Sequence, residues 1–223
     1  MQILYEDNDI IVIEKEPGIP VQTGSIATKD IVNILKNHIK NTCPGKDPYL
    51  GVIHRLDTPV RGILVFALNK EAAAKLSAQL NTGIFNKRYE AAVEGRVLSI
   101  GRVTLEDYLV KDRDNKAKIA EKGVKGAKKA ILTYEVKDVD ETNNVSYLDI
   151  ELVTGRFHQI RAQLANAGHP VTGDKKYGAT GPAGNGKGIG LTATGLSFDH
   201  PKTGKRMEFN IDDRNCKGRI NSI

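Results

Sequence analysis

Cysteine is nearly missing from this chain of 223 residues: Cys43 and Cys216 are the only two. A disulfide framework is thereby excluded and a reducing compartment is expected. No apolar run approaches the ~18 residues that span a bilayer. The opening, MQILYEDNDI, has neither a basic n-region nor an apolar h-region, so no secretory signal is expected. These absences point to a soluble, cytoplasmic protein without a membrane partner. The five histidines, His38, His54, His158, His169 and His200, fit neither H-E-x-x-H nor a Cys/His zinc spacing, and no metal site is expected. The stretch GPAGNGKG at 181–188 nearly matches a phosphate loop. It fails at Gly188, where a hydroxyl should reach Mg²⁺, and no buried strand runs into it.

What is present suits an ordered globule. Hydrophobic residues make up 39% and charged residues 27%, and the net charge is +6. That basicity permits a polyanionic partner without demanding one. The length favours one domain. DIIVIE at 9–14 and GILVFAL at 62–68 read as buried strands, and Arg88–Glu94 as another. Ile31, Val32, Leu35 and Ile39 recur at helical spacing, with Thr28 or Asp30 suited to the first turn. A second helix is predicted after Asn69 as its cap, stopping near Gly83. Ala130–Val139 and Val145–Val153 form a strand pair turning at Asn143-Asn144, a short helix runs from Phe157 to Gly168, and two strands close the chain. Strands in succession with few helices indicate an α+β fold.

Charge is concentrated in one place. Lys111 to Lys129 holds eight basic residues against three acidic ones, an excess of five. Such a stretch is either a solvated loop or an arm that contacts phosphates by releasing counterions. Aromatics are almost absent within it, so base stacking is not indicated.

Two clusters carry chemistry. In GVIHRLDTP at 51–59, Pro59 forbids a continuing helix, and an extended 54–57 puts Arg55 and Asp57 on one face. That spacing allows either a local ion pair or an ionised carboxylate held for use. In TGRFHQIR at 154–161, a strand meets a helix, and His158 and Arg161 fall at i,i+3 on one helical face. Those groups, with Arg156, suit a phosphate or carboxylate, or simply a solvated basic face. Neither cluster names a reaction.

Taken in order, four segments resemble the RluA-type RNA pseudouridine synthases: DIIVIEKEPGIPV, HRLD with GILVFA, KRYEAAVEG, and LVTGRFHQIRAQLANAGHPVTGDKKYG. HPKTGKRMEF is similar to that family's last strands, so the resemblance runs along nearly the whole chain. It implies a single catalytic domain over 1–223, with a mixed, largely antiparallel sheet, flanking helices and a central active-site cleft. No S4-like N-terminal domain is expected. The implied reaction isomerises uridine in ribosomal or transfer RNA to pseudouridine, an isomerase activity that needs no cofactor. The resemblance assigns catalysis to Asp57, Tyr89 and Arg161, with Arg161 pairing the aspartate and Tyr89 under the uracil. Arg55 is similar to the residue that fills the gap left by the flipped nucleotide, and His54, Arg156 and His158 are the other substrate contacts expected. The partner expected is RNA, and the protein a monomer. Two departures stand out: Arg61 precedes Gly62 where the family often has serine, and Glu16 separates Lys15 from Pro17.

Overall fold

The computed structural model describes residues 1–23, 29–42, 48–181 and 188–211. Both cysteines, Thr28 and most of the 181–188 glycine-rich stretch lie outside them. In chain order the elements are β1 (Gln2–Glu6), β2 (Ile10–Lys15), α1 (Ile31–Thr42), β3 (Gly51–Val52), β4 (Arg61–Ala67), α2 (Lys70–Thr82), β5 (Asn86–Glu94), β6 (Val103–Lys111), β7 (Ala117–Ala120), β8 (Lys128–Asp140), β9 (Val145–Leu152), α3 (Gln159–Asn166), β10 (Leu191–Asp199) and β11 (Arg206–Asn210). The fold is α+β, with strands outnumbering helices among the described residues. Two compact units arise, one of Met1–Lys87 with Ala193–Ile211, the other of Arg88–Thr192.

The first unit orders its strands β1-β2-β4-β10, with β3 added to β4 and β11 to β10. β2 and β4 are buried at every position, as their continuous apolar runs predict. They pair antiparallel from Ile10↔Ala67 to Lys15↔Gly62. Ile10, Val12, Ile63, Val65, Leu76, Phe85 and Phe198 share one core cluster, each worth roughly 1.5–3 kcal/mol of burial. Gly62 has φ +144°, and a Cβ there would lie 2.5 Å from both the Cβ and the carbonyl oxygen of Ala193. Only glycine lets β10 approach so closely.

The helix signals act as their chemistry requires. Asn69 caps α2 by accepting the Ala72 N–H at 2.8 Å, and Gly83 ends it at φ +76°. Asp30 serves the start of α1: its carboxylate accepts the Asn33 N–H at 2.8 Å and the Thr23 N–H at 2.8 Å. Burial works against the Asp30 carboxylate, but these amide bonds prevail and hold its pKa below the ordinary value.

The second unit orders its strands β5-β9-β8-β6-β7. Three sequence expectations change here. The basic stretch is not one continuous loop, because β7 returns on β6 in antiparallel register, Tyr108↔Ala120 to Lys111↔Ala117, with turns on either side of β7. The short helix begins at Gln159, leaving Phe157 and His158 outside it. β6 is an unpredicted strand, although Val103, Leu105 and Leu109 do alternate with polar residues.

Candidate active site

In the first unit, the HRLD segment leaves the sheet where β3 stops. β3 pairs Val52 with Phe66, and just beyond that pair His54 Nε2 accepts the Val65 N–H at 3.3 Å. An imidazole thus takes the place of a strand carbonyl. Its ring meets Phe85 edge-on at 5.2 Å. Burial, with a smaller push from the Lys87 charge, lowers the His54 pKa to about 3. His54 is therefore a neutral strut, with the Nε2 lone pair committed to β4 and the proton on a sealed Nδ1.

Past that strut, Arg55 is exposed, Leu56 buried and Asp57 half-buried. A turn closes with the Val60 N–H donating to the Asp57 carbonyl at 3.0 Å. The local Arg55–Asp57 ion pair does not form: Arg55 has no hydrogen bond or ion pair to a described residue. What grips the turn is Lys15, whose side chain is wholly buried. Its ammonium donates to the carbonyls of Glu16 at 3.0 Å, Ile19 at 3.0 Å and Thr58 at 3.1 Å. The Gly18 N–H adds a second bond to the Thr58 carbonyl, at 2.8 Å. Burial lowers the Lys15 pKa to about 8, and the charge of Asp57 is the largest opposing influence. Glu16 therefore does not disturb the opening turn, since its carbonyl is one of the three acceptors.

The other departure also acquires a reason. Arg61 is buried, and its Nε donates to Glu14 Oε1 at 2.7 Å in a buried ion pair. Arginine at 61 is matched by an acid on the neighbouring strand.

In the second unit, Tyr89 is buried on β5 and pairs with Ile150, which in turn pairs with Tyr134. Tyr134, Leu132 and Ala130 share one face of β8, and Ala130 lies in one apolar cluster with Ala162 of α3. Tyr89 and the helix carrying Arg161 thus stand on the same side of this sheet. Its other side is a charged ladder in which Arg88 meets Asp149 at 2.7 Å and Arg102 bridges Glu135 and Glu151, both at 3.3 Å.

Arg161 is not part of a solvated basic face. It is 4% exposed and forks onto Asp174, Nε to Oδ2 at 2.6 Å and Nη2 to Oδ1 at 2.8 Å. Its guanidinium carbon also lies 4.9 Å from the ring centre of Tyr177. The Tyr177 hydroxyl accepts the Ala117 N–H at 2.8 Å and meets His158 Nδ1 at 2.8 Å. His158 sits at φ +50°, uncommon for a residue with a side chain, as the cap of α3 rather than on its face. Gln159 holds the preceding turn by accepting from the Thr154 hydroxyl at 2.8 Å and the Arg156 N–H at 3.0 Å. Arg156 is exposed, and its Nε donates to the Lys129 carbonyl at 2.8 Å.

The geometry, a carboxylate on a braced turn and a buried arginine aimed by a second carboxylate, coincides with a family match. Residues 9–166 match the family of RNA pseudouridylate synthases. The chain belongs to this family, in its RluA-type branch. Members are isomerases that act on RNA. The chain is 30% identical to ribosomal large subunit pseudouridine synthase D of Zymomonas mobilis, over 95% of this chain and 69% of that protein. It is 33% identical to the protein of the same description from Neisseria meningitidis serogroup A, over 94% of this chain and 57% of that protein. An uncharacterized RNA pseudouridine synthase of Aquifex aeolicus is 33% identical over 96% of this chain and 69% of its own length. The chain thus spans between 57% and 69% of these relatives. In fold it is similar to human RNA pseudouridylate synthase domain containing 4, with a TM-score of 0.75 at 22% identity, covering 95% of this chain and 88% of that one.

For a pseudouridine synthase, the sequence singled out Asp57, Tyr89 and Arg161 as candidates and did not flag four residues that the fold places around the candidate segments: Lys15, Gln159, Asp174 and Tyr177. Each lies inside a segment that resembles the family, so position alone could have flagged them. Lys15, Asp174 and Tyr177 find partners far from themselves in the chain, at Thr58, Arg161 and Ala117.

Proposed function

We propose that this chain converts a uridine of ribosomal RNA to pseudouridine, with Asp57 acting at C1′. The curated relatives from Zymomonas and Neisseria are named for the large ribosomal subunit, which favours ribosomal over transfer RNA as substrate. The C1′–N1 bond breaks, the uracil turns, and C1′ bonds to C5. C5 then loses its proton, and N1 gains one. Nothing is oxidised and no water is consumed, so the balance closes without a co-reactant. As C1′ becomes electron-deficient, a carboxylate beside it stabilises or traps that centre, as in glycoside hydrolysis. The observation that carries the assignment to Asp57 is the Lys15 clamp, which holds the carbonyl of the next residue, Thr58, at 3.1 Å. A preorganised carboxylate reorganises little as charge develops.

Tyr89 stacks beneath the uracil and assists loss of the C5 proton. Arg161 is the residue that the family resemblance pairs with this aspartate. Arg55, exposed and without an ion pair among the described residues, enters the gap that the flipped nucleotide leaves. Arg156 and His158 contact the RNA near α3, while His54 serves the substrate indirectly by carrying Arg55 and Asp57. The protein acts as a monomer in the cytoplasm, and light scattering on the purified chain checks its mass. Mapping pseudouridines in total RNA from cells with and without the gene tests the reaction. Loss of a site in ribosomal RNA supports the proposal, and an unchanged map overturns it.

A further inference from the structure

The basic stretch from Lys111 to Lys129 holds no aromatic residue, but the fold brings one to it. Phe157 is 39% exposed, and the Lys111 ammonium lies 4.8 Å from its ring centre. The opposite face of that ring is covered by His158, stacked at 3.8 Å and 20°. An ammonium could not share a face with a ring at that spacing, so Lys111 lies on the outer one. His158 in turn meets Tyr177 edge-on at 5.6 Å, and Tyr177 lies under the Arg161 guanidinium. A continuous series of rings therefore runs from buried Arg161 to exposed Phe157, ending under the Lys111 ammonium at the start of the most basic stretch of the chain.

We infer that Phe157 is a stacking platform for an unpaired base of the RNA substrate, with Lys111 swinging from the ring to the adjoining phosphate when the base arrives. The inference rests on the RNA-modifying function proposed above. Its physical basis is a planar apolar face, backed by a second ring and bordered by cations, which is the arrangement that holds single-stranded nucleic acid without reading its sequence. The Lys111 ammonium marks the face as electron-rich, and its contact with an exposed ring is weak enough for a base to replace. Phosphate attraction then compensates Lys111 for the lost ring. No catalytic residue takes part, so the platform sets affinity for unpaired RNA rather than the rate of isomerisation.

The chain contains no tryptophan, which makes Phe157→Trp a site-specific reporter that preserves stacking. A labelled stem-loop RNA and a fully paired duplex of the same stem are titrated against it, with binding followed independently by anisotropy. The stem-loop should quench the tryptophan, and the duplex should bind without comparable quenching. Phe157→Ala should weaken stem-loop binding by roughly tenfold, within the range for loss of one base–aromatic stack, and should leave duplex binding within about twofold. Single-turnover pseudouridine formation at saturating RNA should stay within about threefold. Unquenched fluorescence on a stem-loop that anisotropy shows to be bound would overturn the platform, as would equal losses on both RNAs. A chain that binds the stem-loop with quenching yet forms no pseudouridine in any RNA would instead count against the proposed reaction and leave the platform standing.

Discussion

Removing the Asp174 carboxylate is expected to be among the costliest single changes in the second unit. Asp174 is 2% exposed and Arg161 is 4% exposed, with two charge-assisted bonds of 2.6 and 2.8 Å between them. In Asp174→Ala the guanidinium stays buried and loses both of those acceptors. Breaking a buried ion pair by removing one of its members costs about 3–5 kcal/mol. For a chain of this length each kcal/mol moves the melting temperature by about 2–4 °C, so a fall of ~10 °C is expected. Urea unfolding should show the same loss. The double variant Asp174→Leu with Arg161→Met should recover much of it, because well-packed apolar side chains can replace a buried ion pair. Activity should fail in both cases, since Arg161 is unaimed in the first and absent in the second. An Asp174→Ala protein that melts within about 2 °C of wild type would refute the reasoning, because it would show that Arg161 finds hydration or another partner at little cost.

Gly62→Ala should destabilise the first unit by at least about 3 kcal/mol, through positive φ and a 2.5 Å overlap with Ala193, and thermal unfolding reads it. His54 has a folded pKa near 3 against 6.5 for the free side chain. Between those values the unfolded chain binds a proton that the folded chain refuses, so stability falls as pH falls, by up to about 1.4 kcal/mol per pH unit. His54→Asn, which keeps an acceptor for the Val65 N–H, should lose that slope in urea titrations between pH 6.5 and 4. Lys122 and Lys125 are exposed between β7 and β8, in the basic stretch. Neutralising each should reduce the log–log salt slope of RNA binding by about 0.7–0.9, and an unchanged slope would mean that this connection does not touch phosphate.

Local signals were legible and long-range partners were not. Asn69, Gly83 and the runs of β2 and β4 act through their immediate neighbours, so spacing alone located them. Asp57 and Arg161 could be singled out by type and context, yet Arg161 read as a candidate for a solvated face because its partner Asp174 lies beyond the helix. The same limit hid Lys15, whose burial depends on the Thr58 carbonyl far along the chain. The stretch 111–129 read as a loop because charge dominates it, and β7 is too short for alternation to show. Its aromatic neighbour, Phe157, comes from a segment on the other side of the β8–β9 pair, which composition within a window cannot detect.

The central claim is that Asp57 performs the chemistry rather than holding the RNA. Asp57→Asn keeps the shape and hydrogen-bonding capacity of the side chain while removing its charge and nucleophilic oxygen. Single-turnover pseudouridine formation and equilibrium binding are measured on the same ribosomal RNA fragment carrying the mapped uridine. The account predicts a fall in turnover of at least about a thousandfold with affinity nearly unchanged, because phosphate contacts dominate binding. An Asp57→Asn protein that forms pseudouridine at the wild-type rate would contradict it.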